Sequence, residues 1–165
     1  GTLQPRKNLE RLIAAHAQVP EAPPLVLAGR PGWLSAPILQ AAQAAGPRVR
    51  LLGAVDDPDL PALMSGATAL ILPSLYEGFG IPALEAMACA TPVIASRTSS
   101  LPEVVGDAGL LVDPLSAEDI ASAMRKLCTH RDLAQELSQR GYERAQRFTW
   151  EAAASTALRV MEEIA

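Results

Sequence analysis

The sequence has little of several features that mark special classes of protein. Only two of its 165 residues are cysteines, and the spacing of Cys89 and Cys128 matches neither a disulfide framework nor a metal-binding motif. No apolar run reaches the roughly 18 residues that a membrane-spanning helix needs. Lysine and arginine form no cluster, and the formal net charge is −4. We therefore expect neither a disulfide scaffold, nor a membrane-spanning protein, nor a nucleic-acid partner.

Several well-known catalytic motifs are missing as well. The chain contains no G-x-G-x-x-G, no phosphate-binding P-loop and no G-x-S-x-G. These absences disfavour a dinucleotide-dependent enzyme, an ATPase and a hydrolase with a serine nucleophile. The two histidines have no metal-ligand spacing either, and we predict that His16, on the apolar stripe of a helix, is a packed core residue.

What is present is a globular composition, with 49% of the residues hydrophobic and short apolar runs that alternate with helical patterns. Five runs are predicted to be strands, at residues 24–28, 48–52, 69–73, 92–96 and 109–113. Strands that are apolar on both faces and are separated by single helices are typical of a parallel sheet covered on both sides. We therefore predict an α/β fold with a doubly wound parallel sheet.

The helices have recognisable starts. We predict N-caps at Asn8, Asp57, Ser116 and Thr149, and two extra helices at the carboxyl end, about 131–147 and 150–164. The opening residues Gly1 and Thr2 resemble the exit from a strand that lies upstream. We therefore expect the 165 residues to be a fragment whose sheet lacks a central strand.

Chemistry is expected in the loops at the carboxyl ends of the strands. The loop 74–80 supplies Glu77, then Gly78 and Gly80, and leads into a helix whose amino terminus favours an anion such as a phosphate. Glu85 lies about one turn into that helix, where its carboxylate could accept hydrogen bonds from the hydroxyls of a ribose. Pairing of Glu85 with an internal arginine, or an electrostatic effect on the helix, are the alternatives.

The segment "PSLYEGFGIPALEAMACATPVIAS" resembles the E-x7-E region of retaining glycosyltransferases of family 4. Three further segments resemble the same family in the same order: "GTLQPRKNLERLI", "RLLGAVDDPDLPALMSGA" and "TSSLPEVVGDAGLLVDP". The resemblance covers essentially the whole chain and is nearest to bacterial mannosyltransferase-like members. It implies the Rossmann-like, donor-binding half of a GT-B fold, with residues 1–165 as one domain.

The resemblance also implies roles for single residues. Glu77 would contact hydroxyls of the transferred sugar, Glu85 would hold the ribose, and Arg6 and Lys7 would neutralise the diphosphate leaving group. Main-chain groups would hold the rest of the donor. Those expected at the sugar and phosphate belong to Gly78, Phe79, Gly80 and Ile81, and those expected at the base belong to Gly53, Ala54 and Val55.

Two positions depart from the family pattern. Thr2 stands where many relatives carry an arginine, so that part of the diphosphate clamp would rest on Arg6. Ala90 stands where a glycine is common, and a positive φ there would cost roughly 1 kcal/mol.

The resemblance implies partners and leaves alternatives. The donor would be a nucleoside diphosphate sugar, and the amino-terminal acceptor domain would be the partner within the same protein. We expect no obligatory metal or other cofactor, because Arg, Lys and a helix amino terminus can neutralise a diphosphate. We expect a cytoplasmic protein, with peripheral attachment to the membrane as a further possibility, and self-association through the terminal helix. A nucleotide-sugar epimerase and a non-catalytic binding module are the alternatives.

Overall fold

The computed structural model describes residues 1–164, and it contains five short strands that all pair in parallel. Each strand lies within one residue of its predicted bounds. The strands are β1 (Leu25–Ala28), β2 (Val49–Gly53), β3 (Leu70–Leu72), β4 (Val93–Ser96) and β5 (Leu110–Val112).

Eight α-helices connect or follow the strands, with short 3-10 turns between some of them. The helices are α1 (Leu9–Ala17), α2 (Ala36–Ala44), α3 (Leu60–Ser65), α4 (Ile81–Ala88), α5 (Leu101–Val105), α6 (Ala117–Thr129), α7 (Arg131–Ala145) and α8 (Trp150–Ile164). Helix α2 was not among the predicted helices, and Ser35 at its N-cap makes no side-chain capping bond.

Alternate residues of the strands face two separate cores, as a sheet covered on both sides requires. In β4, Ile94 packs into a cluster with residues of α1, α2 and α6, whereas Val93 and Ala95 pack into a second cluster with residues of α4 and α5. All four residues of β4 are buried. The predicted doubly wound α/β architecture is therefore confirmed.

The strands form two sheets rather than one. β1 pairs with β2, and β3, β4 and β5 pair in that order. Among residues 1–164, β1 and β3 each keep one edge without a strand partner, and a cavity of about 550 Å³ lies between these edges. That a central strand is missing stays a prediction. Leu51 and Leu52 of β2 are about half exposed, so the prediction that the strands are buried on both faces is wrong for β2.

Three of the four predicted N-cap positions are confirmed, two of them with a capping hydrogen bond, and the one at Asp57 is wrong. The Ser116 hydroxyl accepts a hydrogen bond from the Asp119 amide at 3.0 Å, and that of Thr149 accepts one from the Ala152 amide at 3.1 Å. Asn8 occupies the N-cap of α1 but makes no capping bond, because its side chain is engaged elsewhere. Asp57 lies inside a 3-10 turn, Asp57–Asp59, and does not cap α3.

His16 is buried, as predicted, and its Nε2 lies 2.8 Å from the carbonyl oxygen of Pro23. At the carboxyl end, α8 has no buried residue, and its Trp150 is 89% exposed. The apolar face of α8 is therefore uncovered in this chain, and self-association through it stays a prediction. None of the helices within residues 1–164 is both long and apolar enough to cross a bilayer.

Candidate functional site

Arg6 and Lys7 lie in a 3-10 turn, Pro5–Lys7, just before α1. Asn8 follows in a left-handed conformation with φ of 57°, which asparagine tolerates better than most residues. Its buried Nδ2 donates to the carbonyl oxygens of Pro73 at 2.9 Å and Pro114 at 2.6 Å. The turn that carries both cations is thereby attached to the segments that follow β3 and β5.

Glu77 meets both cations in the loop after β3. Its side chain is only 8% exposed, and it accepts hydrogen bonds from Lys7 Nζ at 2.7 Å and from Ser74 Oγ at 2.6 Å. Arg6 forms a second ion pair with it at 2.8 Å and also donates to the carbonyl oxygen of Tyr76. Burial alone would raise the pKa of Glu77, but the bonds from Lys7, Ser74 and Arg6 outweigh it and hold that pKa below its ordinary value.

The backbone of Glu77 is fixed by the segment that follows β4. The Glu77 amide donates to Ser99 Oγ at 3.0 Å, and Ser100 Oγ donates to the Glu77 carbonyl at 2.9 Å. The sequence analysis missed these serines and Ser74 as site residues. A signal was available, since "TSS" begins two residues after the end of a predicted strand, at the edge of the sheet where sites are expected.

The segment from Gly78 to Ile81 leads from Glu77 into α4. Gly80 adopts φ of 101°, and a β-carbon there would lie 2.6 Å from Cδ2 of Leu101, so glycine is required at this position. Gly78, Phe79 and Ile81 are exposed, and the Phe79 ring packs edge-on against Phe148 with a centroid separation of 6.1 Å. The start of α4 is therefore at the surface, although Gly80 itself is buried.

Glu85 lies in α4 and lines the cavity between the two sheets, together with Thr2, Lys7 and Pro82. It is exposed, and within residues 1–164 it forms no salt bridge with an arginine. The alternative of an internal Arg partner is therefore wrong. An ionised carboxylate at this exposed position carries no burial penalty, although it stands in an otherwise apolar run.

Gly53, Ala54 and Val55 lie apart from the two glutamates. Gly53 ends β2 with φ of 73°, and its carbonyl oxygen accepts a hydrogen bond from the amide of Gly29, which follows β1. Ala54 is exposed and Val55 is partly buried, and none of the three lines the cavity. The structure thus brings Glu77, Arg6 and Lys7 into contact and places 53–55 further along the same edge of the strands.

This arrangement offers two cations, a fixed carboxylate and the amino terminus of α4 at the carboxyl ends of parallel strands. Such a set suits an anionic ligand that also carries hydroxyl groups. Within residues 1–164, no three His, Cys, Asp or Glu side chains are grouped so that they could hold a metal ion.

The sequence model of the family described as Glycosyl transferases group 1 matches residues 1–144 of this chain. The chain belongs to this glycosyltransferase family. The matched residues include Glu77 and Glu85, Arg6 and Lys7, and the loop after β2. The terminal helix α8 lies beyond the matched residues.

Individual glycosyltransferases of known sequence or structure are similar over nearly the whole chain. "O-antigen chain mannosyltransferase B" of Escherichia coli is 40% identical over 158 residues, which are 92% of this chain and 41% of that protein. The structure of sucrose-phosphate synthase from Thermosynechococcus elongatus matches with a TM-score of 0.85 and 35% identity, over 99% of this chain and 44% of that one.

A second structure, Alr3699/HepE of Anabaena in complex with UDP and glucose, has a TM-score of 0.85 and 25% identity, over 99% of this chain and 47% of that one. The fold of the present chain therefore matches that of GT-B glycosyltransferases. The chain spans less than half the length of each of these three proteins.

Proposed function

We propose that this chain is the donor-binding half of a retaining glycosyltransferase of family 4, which transfers a hexose from a nucleoside diphosphate sugar to an acceptor hydroxyl. The observation that carries the proposal is the contact of Glu77 with Arg6 and Lys7 beside the start of α4. The mannosyltransferase with 40% identity favours mannose as the transferred sugar. The UDP and glucose bound to HepE, a structure with the same fold, favour a nucleotide sugar as the ligand class.

We propose that Arg6 and Lys7 neutralise the diphosphate. Charge develops on the leaving group as the bond to the sugar breaks, and positioned cations stabilise that charge. Lys7 is well placed for this because its side chain is 13% exposed and lines the cavity, so little water competes for its ammonium group. The exposed start of α4 would add main-chain donors from the segment 78–81.

The two glutamates would hold different parts of the donor. Glu77 would accept hydrogen bonds from sugar hydroxyls, as an ionised carboxylate with a lowered pKa can. Glu85, on the same helix-loop unit, would hold the ribose. The turn 53–55 would accept the base, since Gly53 lies at the carboxyl end of β2 and is joined to Gly29 by a hydrogen bond.

We further propose that the complete enzyme has a second half that supplies the acceptor site. The chain covers 41% of the length of the mannosyltransferase and 44% of the length of the synthase, which leaves room for another domain of similar size. The open edges of β1 and β3, and the cavity between them, support the idea that the donor-binding unit itself takes in one more strand.

The proposal also assigns no obligatory metal to the reaction, because Arg6 and Lys7 can do the electrostatic work. Donor binding should then be the same with and without EDTA. A loss of binding on addition of EDTA that Mg²⁺ restores would contradict this part of the proposal.

The test of the binding function is a calorimetric titration of the chain with GDP, UDP and ADP, the corresponding sugar nucleotides, and pyrophosphate. We expect one base to bind best, and the Glu85→Gln variant to bind that nucleoside diphosphate more weakly by about 1 to 3 kcal/mol. Pyrophosphate has no ribose and is the matched control, so its affinity should be equal in the two proteins. Equal affinities of the variant and the parent for every nucleotide would contradict the ribose assignment.

A further inference from the structure

The pairing of Glu77 has a second consequence for binding. Both of its oxygens are engaged, with Arg6 at Oε2 and with Lys7 and Ser74 at Oε1. Its carboxylate therefore occupies the same cations that the proposed function assigns to a diphosphate. An incoming anion at this site meets two positive charges that already share a negative partner.

We infer that Glu77 is a specificity-determining counter-ion, which weakens the binding of bare anions and favours ligands that bring both an anion and hydroxyl groups. A bare anion draws Lys7 and Arg6 away from Glu77 and leaves a buried carboxylate with Ser74 as its remaining side-chain donor. Loss of partners is costly for a buried charge. A ligand with hydroxyl groups supplies new donors to that carboxylate and so compensates the loss.

The geometry gives Glu77 little freedom to avoid the competition. Its amide and its carbonyl are both held by the serines that follow β4, and the turn with Lys7 is held by Asn8. The main chain on either side of the ion pair cannot shift without breaking these hydrogen bonds. The carboxylate consequently stays close to any anion that contacts Lys7, and the repulsion acts over a short distance with little screening.

This inference rests on the proposed function for its ligand class, and bare pyrophosphate separates the two. The change is Glu77→Gln, which keeps the size of the side chain and removes its charge. We expect the variant to bind pyrophosphate roughly tenfold more tightly than the parent, because both cations lose their internal partner. The ratio of the affinity for the sugar nucleotide to the affinity for pyrophosphate should be lower in the variant than in the parent. Calorimetric titration gives both affinities.

Glu10→Gln is the matched control, because it removes the same charge from the first turn of α1, three residues from Lys7. Glu10 is exposed and has no salt bridge within the described part of the chain. The affinity of Glu10→Gln for pyrophosphate should stay within twofold of that of the parent. An equal gain in both variants would mean that net charge alone is responsible, and would overturn the inference.

A measurement on the unsubstituted chain covers the case in which Glu77→Gln does not fold. The carboxyl carbon resonance of Glu77 should shift as pyrophosphate is added, since the carboxylate loses its contacts with the cations. An unchanged resonance at saturation overturns the inference, and so does the absence of pyrophosphate binding by both the parent and Glu77→Gln. If pyrophosphate binds more tightly to the variant and no nucleotide sugar binds either protein, the proposed function fails and the counter-ion role stands.

Discussion

Glu77 in its loop and Glu85 in its helix are eight residues apart, yet they differ in burial and in the contacts that they make. Glu77 is buried and touches Arg6, Lys7 and Ser74. Glu85 is exposed at the mouth of a cavity and has no salt bridge within residues 1–164. The first carboxylate is fixed before any ligand arrives, whereas the second is free to reorient.

The difference teaches that the spacing of two acidic residues does not determine how either one behaves. The loop around Glu77 is held from three sides, by the turn before α1, by the serines after β4 and by its own Ser74. A helix surface holds Glu85 only through its backbone. We expect substitutions in the first region to affect folding as well as binding, and those in the second to affect binding alone.

The largest effect on stability should come from Asn8→Ala, because Asn8 attaches the turn that carries Arg6 and Lys7 to the segments after β3 and β5. The change leaves the buried carbonyl oxygens of Pro73 and Pro114 without this donor and places an alanine at φ of 57°. We expect a loss of about 2 to 4 kcal/mol in the free energy of unfolding, measured by urea denaturation.

Asn8→Gly separates the two causes, because glycine accepts positive φ but cannot donate to the carbonyls. It should cost less than Asn8→Ala by about 1 kcal/mol. If both variants were as stable as the parent, the conclusion that Asn8 holds the turn beside Glu77 in place would be contradicted.

The comparison itself is tested by Glu77→Gln beside Glu85→Gln. At pH 7 the first should lower the free energy of unfolding by about 1 to 3 kcal/mol, since it impairs charged hydrogen bonds in a buried place. The second should stay within about 0.5 kcal/mol of the parent. Chemical denaturation of the three proteins under one set of conditions gives the values.

The pH dependence has a definite sign. The pKa of Glu77 is lowered in the folded chain, so its stabilising contribution is complete above the ordinary value of 4.5 and is lost as the pH falls through the folded pKa. The difference between Glu77→Gln and the parent should therefore shrink as the pH is lowered below 4.5. A difference that grows under acid conditions would mean that the ion pairs do not stabilise the fold.

The smallest effect should lie at the far end of α4, where main-chain strain acts without any charge. Ala90 has φ of 54°, so the departure from glycine noted in the sequence does fall at a strained position. Ala90→Gly should raise the free energy of unfolding by up to about 1 kcal/mol. Ala88→Gly is the control within the same helix and should lower it by about 1 kcal/mol.

The sequence was sufficient to predict the strands and most of the helices, because apolar runs and polar caps are local signals. Through the family resemblance, it also implied that Arg6, Lys7 and Glu77 would contact one donor molecule. It could not predict that they would form ion pairs with one another, since positions 7 and 77 meet only through the pairing and order of the strands.

Two features that the sequence analysis missed have the same physical origin. Asn8 has the residue type of a helix cap, but its amide finds carbonyl groups 65 and 106 residues away along the chain. Ser99 and Ser100 have the residue types of a turn, but their hydroxyls hold Glu77. The hydrogen bonds that small polar side chains could make locally compete with bonds to groups that only the tertiary structure brings close.

The uncovered helix α8 implies that the chain does not unfold as a single unit. A helix of 15 residues with no buried side chain has little beyond its own backbone bonds, and isolated helices of that length are marginal in water. Its amide protons should exchange with solvent far faster than those of the fully buried β4. The opening of α8 is thus a separate equilibrium, and anything that covers Trp150 and its neighbours would slow the exchange of the whole helix.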